Sequence, residues 1–384
     1  MSTNARTPGL QSYFRPYLAD IAPYVGVERI EALAARYGLA PDAISKLDAN
    51  ENPYGPSPLV YEALASLQDA HRYPDPLAGE LRDAVAAYAG VETEQVLLGA
   101  GADEMLEVLL RLFMAPGECT LDAPPTFNMY PVFTLQNGGR VISVPRGPSW
   151  ELNLPEMLAR IEGSVENENE RVKLVWVCSP NNPTGNLASH EEVVALLETG
   201  APVIVDEAYY EFSGRTHLPL LREYPNLMIA RTFSKLAGLA GMRIGYVVAD
   251  PAVIHEAKKI KQPYNVNIAA HVAALASLRD LPRLQHNVDL IVEERERMAA
   301  LLREHGELDP YPSDANYLLC RTADNDGKRL RDDLSRRGVF VRYFAKPGLE
   351  GCVRISAGAP ADTDRLMSAL EAVRPARENA RASS

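Results

Sequence analysis

Short apolar runs rich in β-branched residues recur at 95–99, 119–122, 140–144, 173–178, 202–206, 226–232 and 244–248. Helical or loop patterns separate them, among them the strongly apolar stretch 105–114. Strands that are apolar on both sides and alternate with helices predict a mainly parallel sheet covered on both faces. Past about residue 270 the pattern changes to long helices at 268–278 and 286–305, the second laced with i,i+4 charge pairs. Strands at 315–321, 339–343 and 352–356 then predict a smaller α+β unit. Ahead of the first strand, Ile30, Leu33, Ala34 and Tyr37 share one helical face and Gly38 supplies a stop. The expected division is an arm with part of the small domain over 1–45, a large domain over 46–270 and a small domain over 271–384. The segment 48–56 is too polar for a strand and too rich in proline for a helix, which makes it a connector or a binding loop.

Three strand ends carry chemistry. The run 226–232 leads into Ser234 and Lys235, where open α/β sheets place their ligands, and Arg243 follows eight positions on. A lysine in such a crevice, short of solvent, loses basicity and can react as a free amine. The hydroxyls of Thr232 and Ser234 together with Arg243 suit a phosphate. The run 202–206 ends in Asp206, and 173–178 leads into Asn182-Pro-Thr-Gly185. In a parallel sheet all of these meet at one edge. A further strand, turn and helix over 95–114 can offer free backbone N–H groups to an anion. Taken one at a time, these features are matched by a surface lysine, a helix cap, a turn and an ordinary βα connection; together they form a lysine for a Schiff base, a carboxylate for a ring nitrogen, hydrogen-bond partners in Tyr209 and Asn182, and a phosphate cradle.

Composition narrows the picture. A chain of 384 residues with 46% hydrophobic and 23% charged residues is long enough for two domains with sizeable cores. A net charge of −12 argues against a nucleic-acid partner. No apolar run approaches the roughly 20 residues of a membrane helix, and the N-terminal residues lack a secretory pattern, so a cytoplasmic protein is expected. The four cysteines, Cys119, Cys178, Cys320 and Cys352, are far apart and read as reduced core thiols. The scattered histidines give a metal site no support. The charge-rich loop 163–171 is given no role beyond solubility.

The combination resembles the fold-type I pyridoxal-phosphate-dependent aminotransferases, with the similarity running over nearly the whole chain. It rests on Asp48-Ala-Asn-Glu-Asn-Pro-Tyr-Gly-Pro56, Arg72-Tyr-Pro-Asp-Pro76, Gly99-Ala-Gly-Ala-Asp-Glu104, Pro125-Thr-Phe-Asn-Met-Tyr130, Ser179-Pro-Asn-Asn-Pro-Thr-Gly185, Asp206-Glu-Ala-Tyr-Tyr-Glu-Phe212 and the Lys235 loop. The resemblance implies a large, mainly parallel seven-stranded sheet and a smaller α+β domain. It implies that Lys235 forms the Schiff base with pyridoxal 5'-phosphate, that Asp206 pairs with the ring nitrogen, and that Tyr209 and Asn182 bond the phenolic oxygen. Tyr130 is expected to stack on the ring. Thr232, Ser234, Arg243 and the backbone N–H groups of Ala102 and Asp103 are expected to hold the phosphate, with Tyr54 reaching it from the other subunit of a homodimer.

Within that family the chain is most similar to the branch that acts on histidinol phosphate. This implies a ping-pong exchange of an amino group with 2-oxoglutarate in histidine biosynthesis. Arg354 and Asn182 would receive the anionic end of the substrates, and Arg342 and Tyr24 the phosphate of histidinol phosphate. An aromatic amino-acid aminotransferase and a decarboxylase of a phosphorylated amino acid share the cofactor contacts and stay open as alternatives. A non-catalytic sensor or scaffold would be expected to carry an added DNA-binding segment, and a dehydrogenase a full dinucleotide turn.

Overall fold

The apolar runs assemble into two sheets in the computed structural model, which describes residues 9–19, 21–23, 26–164 and 171–382. In chain order the strands are β1 Ser45–Leu47, β2 Val96–Gly99, β3 Cys119–Asp122, β4 Arg140–Ser143, β5 Val172–Cys178, β6 Val203–Asp206, β7 Leu227–Thr232, β8 Gly245–Ala249, β9 Leu308–Pro310, β10 Tyr317–Thr322, β11 Val339–Tyr343 and β12 Cys352–Ser356. The large sheet has seven strands in the order β2-β8-β7-β6-β5-β3-β4, and the small one five in the order β1-β11-β12-β10-β9.

The large sheet is parallel except at β8, which runs antiparallel to both β2 and β7. Its central strands β5, β6 and β7 are almost wholly buried, because helices cover both faces. Alternation along β7 divides the core: Met228 and Ala230 pack into the cluster around Leu109 and Trp176, and Leu227 and Ile229 into the one around Val193 and Leu196. The helix Ala102–Phe113 buries Met105, Leu106, Val108, Leu109 and Leu110 against that sheet. The helix His190–Glu198 starts at a capping box formed by Ser189 and Glu192.

Two strands escaped the sequence pattern. β1 and β9 are three residues each, too short for alternation to register, and both lie in the small sheet. β1 pairs in parallel with β11, Ser45 opposite Val339, so the chain contributes a strand to the small sheet before it enters the large one. The helix Leu281–His305 ties the two units together. Its Leu284, Val288 and Ile291 belong to a core cluster of the large sheet, whereas Met298, Ala299 and Leu302 pack in the core of the small one. At 25 residues the helix is roughly 37 Å long, enough to reach both. The helix expected ahead of Gly38 forms over Ile30–Tyr37 and ends where Gly38 takes φ 66°. Tyr24 and residues 165–170 of the charged loop lie outside the described residues.

Candidate active site

A cavity of about 250 Å³ opens at the carboxyl edge of the large sheet, where the small sheet faces it. Strands β2, β5, β6 and β7 deliver their following residues to this edge, as a parallel arrangement requires. Arg243 arrives differently. It precedes β8, and only because β8 is reversed, with Gly245 paired to both Gly99 and Thr232, does it reach the same edge. The cavity is lined by Lys235, Asp206, Tyr209, Asn182, Thr232, Ser234, Ala102, Asp103, Arg243, Arg342 and Arg354.

Lys235 sits in a loop clamped from the segment 48–56: Asn52 Nδ2 donates to the carbonyls of Lys235 and Leu236 at 3.1 and 3.0 Å. Gly238, at φ 65°, lets that segment approach, since a Cβ there would stand 2.6 Å from the Gly55 carbonyl carbon. The Lys235 Nζ lies 3.4 Å from the Ala49 carbonyl and 5.7 Å from the centre of the Tyr209 ring. Burial first, then the neighbouring Arg354, brings its amine down to about 8, against the opposing pull of Glu51 and Asp103. A substantial neutral fraction therefore exists near neutrality, which a nucleophile needs.

Asp206 closes the buried end. Burial pushes its carboxyl up to about 6, opposed by the Tyr130 hydroxyl, which donates to Oδ2 at 2.8 Å, and by the Ala208 N–H, which donates to Oδ1 at 3.1 Å. Tyr130 does not line the cavity, contrary to the expectation that its ring would cover a bound ring. It is wholly buried, stacked on Trp176 with centroids 4.9 Å apart and planes at 4°. The helix Met129–Gln136 turns it inward, and the aromatic residue of that segment that does line the cavity is Phe127, in the loop before the helix. Tyr209 is pushed up to about 12, first by burial. Its oxygen accepts from Asn50 Nδ2 at 3.1 Å and Asn182 Nδ2 at 3.4 Å, which leaves its own proton free to donate into the cavity. Asn50 lies in the segment 48–56, and a turn-rich sequence gives no sign of which of its amides faces inward.

On the opposite side the helix Ala102–Phe113 points its N-terminus at the cavity, where its first N–H groups have no intrahelical partners. The approach is tight: a Cβ on Gly101 would stand 2.6 Å from Arg243 Nη2, and one on Gly245 2.5 Å from the Ala102 nitrogen. Thr232 Oγ1 donates to Ser234 Oγ at 2.9 Å beside them. Arg243 also pairs with the Asp103 carboxylate at 3.3 Å, both about half exposed. Hydroxyls, helix N–H groups and a guanidinium around one concavity make an anion cradle.

The small sheet supplies the remaining wall. Arg354 is buried; its Nη1 donates to Asn182 Oδ1 at 2.7 Å and its Nη2 to the Asp48 carbonyl at 2.8 Å, while the buried Nε has no partner among the described residues. Arg342 faces Arg354 from the adjacent strand, and Phe344 and Lys346 complete that wall. Tyr54 is half-buried against the large-sheet core and lies outside its own chain's cavity.

This fold and this set of groups define a family, and the family model Aminotransferase class I and II matches residues 43–373. The chain belongs to that family of aminotransferases. Among its relatives, histidinol-phosphate aminotransferase 1 of Arabidopsis thaliana chloroplasts is 44% identical over 362 residues, covering 94% of this chain and 85% of the relative. The histidinol-phosphate aminotransferase of Roseiflexus castenholzii is 44% identical over 368 residues, covering 94% and 97%. A crystal structure of histidinol-phosphate aminotransferase from Sinorhizobium meliloti in complex with pyridoxal-5'-phosphate superposes with a TM-score of 0.84 at 30% identity, covering 95% of this chain and 98% of that one.

Proposed function

We propose that the chain is a pyridoxal-phosphate-dependent transaminase that moves an amino group between L-histidinol phosphate and 2-oxoglutarate in histidine biosynthesis. The observation that carries the choice of substrate is the pair Arg342 and Arg354, two cations on one wall of the cavity that holds Lys235 and Asp206. A substrate with a phosphate or carboxylate at its end matches them.

The residues fit the cofactor. The partly neutral amine of Lys235 suits its aldehyde, the buried Asp206 suits its ring nitrogen, and the Tyr209 hydroxyl and Asn182 amide suit its phenolic oxygen. The cradle of Ala102, Asp103, Thr232, Ser234 and Arg243 suits its phosphate, with Asp103 contributing its N–H and not its carboxylate. The ring-facing position falls to Phe127. When bound, the cofactor supplies an electron sink for the bonds at the substrate's Cα. Asp206 keeps negative charge beside the ring nitrogen. Tyr209 stays protonated and donates from the side. Lys235, once free, takes the proton from the substrate's Cα and returns it on the other side of the exchange, a positioned transfer worth roughly 10²- to 10⁴-fold in rate. Arg354, fixed by Asn182 and Asp48, orients the substrate's anionic end, and its unpaired Nε adds a donor.

A homodimer is part of this reading. Tyr73 and Tyr264 stack on one another at the surface, 82% and 47% exposed, and Tyr13 and Phe14 of the arm are 71% and 59% exposed. Such apolar area is suited to a second copy of the chain, which would bring its Tyr54 and Tyr24 to this cavity. Among the described residues no helix is long and apolar enough to cross a membrane. The four cysteines are buried and in no disulfide among the described residues, which supports a reducing compartment such as the cytoplasm.

The test is a half-reaction. Cofactor-loaded protein is mixed with L-histidinol phosphate, L-phenylalanine or L-glutamate without an oxo acid, and conversion of the cofactor to its amine form is followed by absorbance. Histidinol phosphate should convert it far faster than phenylalanine. A faster reaction with phenylalanine would move the chain to the aromatic aminotransferases, the second reading that the shared cofactor contacts allow.

A further inference from the structure

We propose that Tyr130 is a positioning residue, its buried hydroxyl aiming the Asp206 carboxylate at the ring nitrogen of the cofactor. The inference rests on the transaminase reading above.

The Asp206 carboxylate has two oxygens and two inward donors. Oδ1 takes the Ala208 N–H, a bond within its own turn, and Oδ2 takes the Tyr130 hydroxyl from a different element. With both oxygens tied from behind, the rotation of the carboxyl group is fixed and its remaining lone pairs face the cavity, which Asp206 lines. Tyr130 itself has little freedom. Its ring is stacked on Trp176 of β5, and Phe127 meets it edge-on at 5.5 Å. The helix that carries it is pinned by Thr134 Oγ1, which donates to the Tyr130 carbonyl at 2.9 Å and lies 2.9 Å from Thr120 Oγ1 of β3. The hydroxyl is thus held where Asp206 needs a donor, without depending on the cofactor.

The surroundings make that donor matter. The groups that bear on Asp206 are Asp103 from the Ala102–Phe113 helix and Glu207 from its own turn, both acidic, with the wholly buried Cys178 thiol beside it on β5. Acidic neighbours and burial favour the neutral acid, whereas a hydroxyl donating to the carboxylate favours the charged one. A neutral or rotated Asp206 would not pair with a protonated ring nitrogen. Tyr130 does not line the cavity; its hydroxyl also meets the Cys178 thiol, and it acts on the site through the bond to Asp206.

The test compares pyridoxal phosphate with its carbocyclic analogue, in which a C–H replaces the ring nitrogen. Affinities of ligand-free wild type and Tyr130→Phe for both are measured by titration, together with their melting temperatures. Tyr130→Phe keeps the ring and its stack. Wild type should prefer the natural cofactor, and the variant should lose about tenfold of that preference with little change in the melting of the ligand-free protein. A preference equal in the two proteins, or a loss of the same factor for both ligands, overturns the proposal. A wild type that binds neither ligand overturns the transaminase reading instead. As a check that needs no disruptive change, 3-fluorotyrosine at position 130 should give a ¹⁹F resonance that shifts further with pyridoxal phosphate than with the analogue; equal shifts overturn the proposal.

Discussion

Arg342 and Arg354 stand directly opposite one another on the antiparallel strands β11 and β12, two like charges sharing one face of the sheet and one wall of the cavity. Like charges so placed repel, and in Arg354, already weakened as a base by burial, the Arg342 charge lowers basicity further. The arrangement is favourable only with an anion between or beside the two. Arg342→Gln should therefore raise the KM for histidinol phosphate by roughly 10- to 100-fold, following the 1.5–3 kcal/mol of a hydrogen bond to a charged group, with a smaller change for glutamate. In the cofactor-loaded protein, where the other anion cradle is already filled, inorganic phosphate should raise the melting temperature of wild type and not of the variant. An unchanged KM would remove Arg342 from the substrate site.

Asp206 should make the ligand-free protein less stable as pH rises. Its folded value, about 6, is above the ordinary 3.8, so the folded state holds the extra proton between them, and stability falls through that window as pH rises. Above about pH 6 the cost is fully present, on the order of 1–3 kcal/mol. Ligand-free Asp206→Asn should melt above wild type at pH 7.5, and the gap should close below about pH 4. A gap that does not vary with pH would show that the carboxylate is not strained by burial. With the cofactor bound the order should reverse, since only the carboxylate pairs with the ring nitrogen.

The cradle depends on an absent side chain. A methyl on Gly245 would press on backbone, 2.5 Å from the Ala102 nitrogen and 2.7 Å from the Gly101 carbonyl carbon, so the helix start would have to move. Gly245→Ala should cost about 1–3 kcal/mol of stability and weaken cofactor binding in the same variant. Gly241→Ala, with nothing within 4 Å, is the control and should change neither. Equal cofactor affinity in the two variants would disconnect the helix start from the phosphate.

One residue after Asp206, Glu207 faces the other way and forms a buried pair with Arg231, whose Nε and Nη2 donate to Oε2 at 3.0 and 2.8 Å. Thr216 and the His217 N–H occupy the remaining lone pairs, and the guanidinium lies 3.6 Å above the Tyr210 ring. Removing one partner strands a buried charge, so Glu207→Leu should cost about 3–5 kcal/mol, read from urea unfolding. The double variant Glu207→Leu with Arg231→Leu should lose less. A double variant weaker than the sum of the singles would show that the pair is not the unit that matters.

How much of this was legible in the residues varies with the physics behind each feature. The strands of the large sheet could be read because burial on both faces demands unbroken apolar runs, as in Val172–Cys178, whereas β1 and β9 were hidden by their shortness. Pro125-Thr-Phe-Asn-Met-Tyr130 offers two aromatic residues three apart, and spacing does not choose between them. The helix that begins at Met129 makes the choice, sending Tyr130 inward to Trp176 and Asp206 and leaving Phe127 in the cavity wall.

The sheet's apolar strands, the reactive types of Lys235 and Asp206 at the ends of two of them, and the loops of small residues around them are written in the residues, because they follow from local pattern and from the rule that parallel strands end at one edge. The reversal of β8, which brings Arg243 to that edge from the front of its strand, and the pairing of β11 with β12, which puts Arg342 opposite Arg354, emerge with the folded chain. Those placements depend on which strands pair and in which direction. Pairing is set by packing between segments far apart in the chain, so no local stretch of residues contains it.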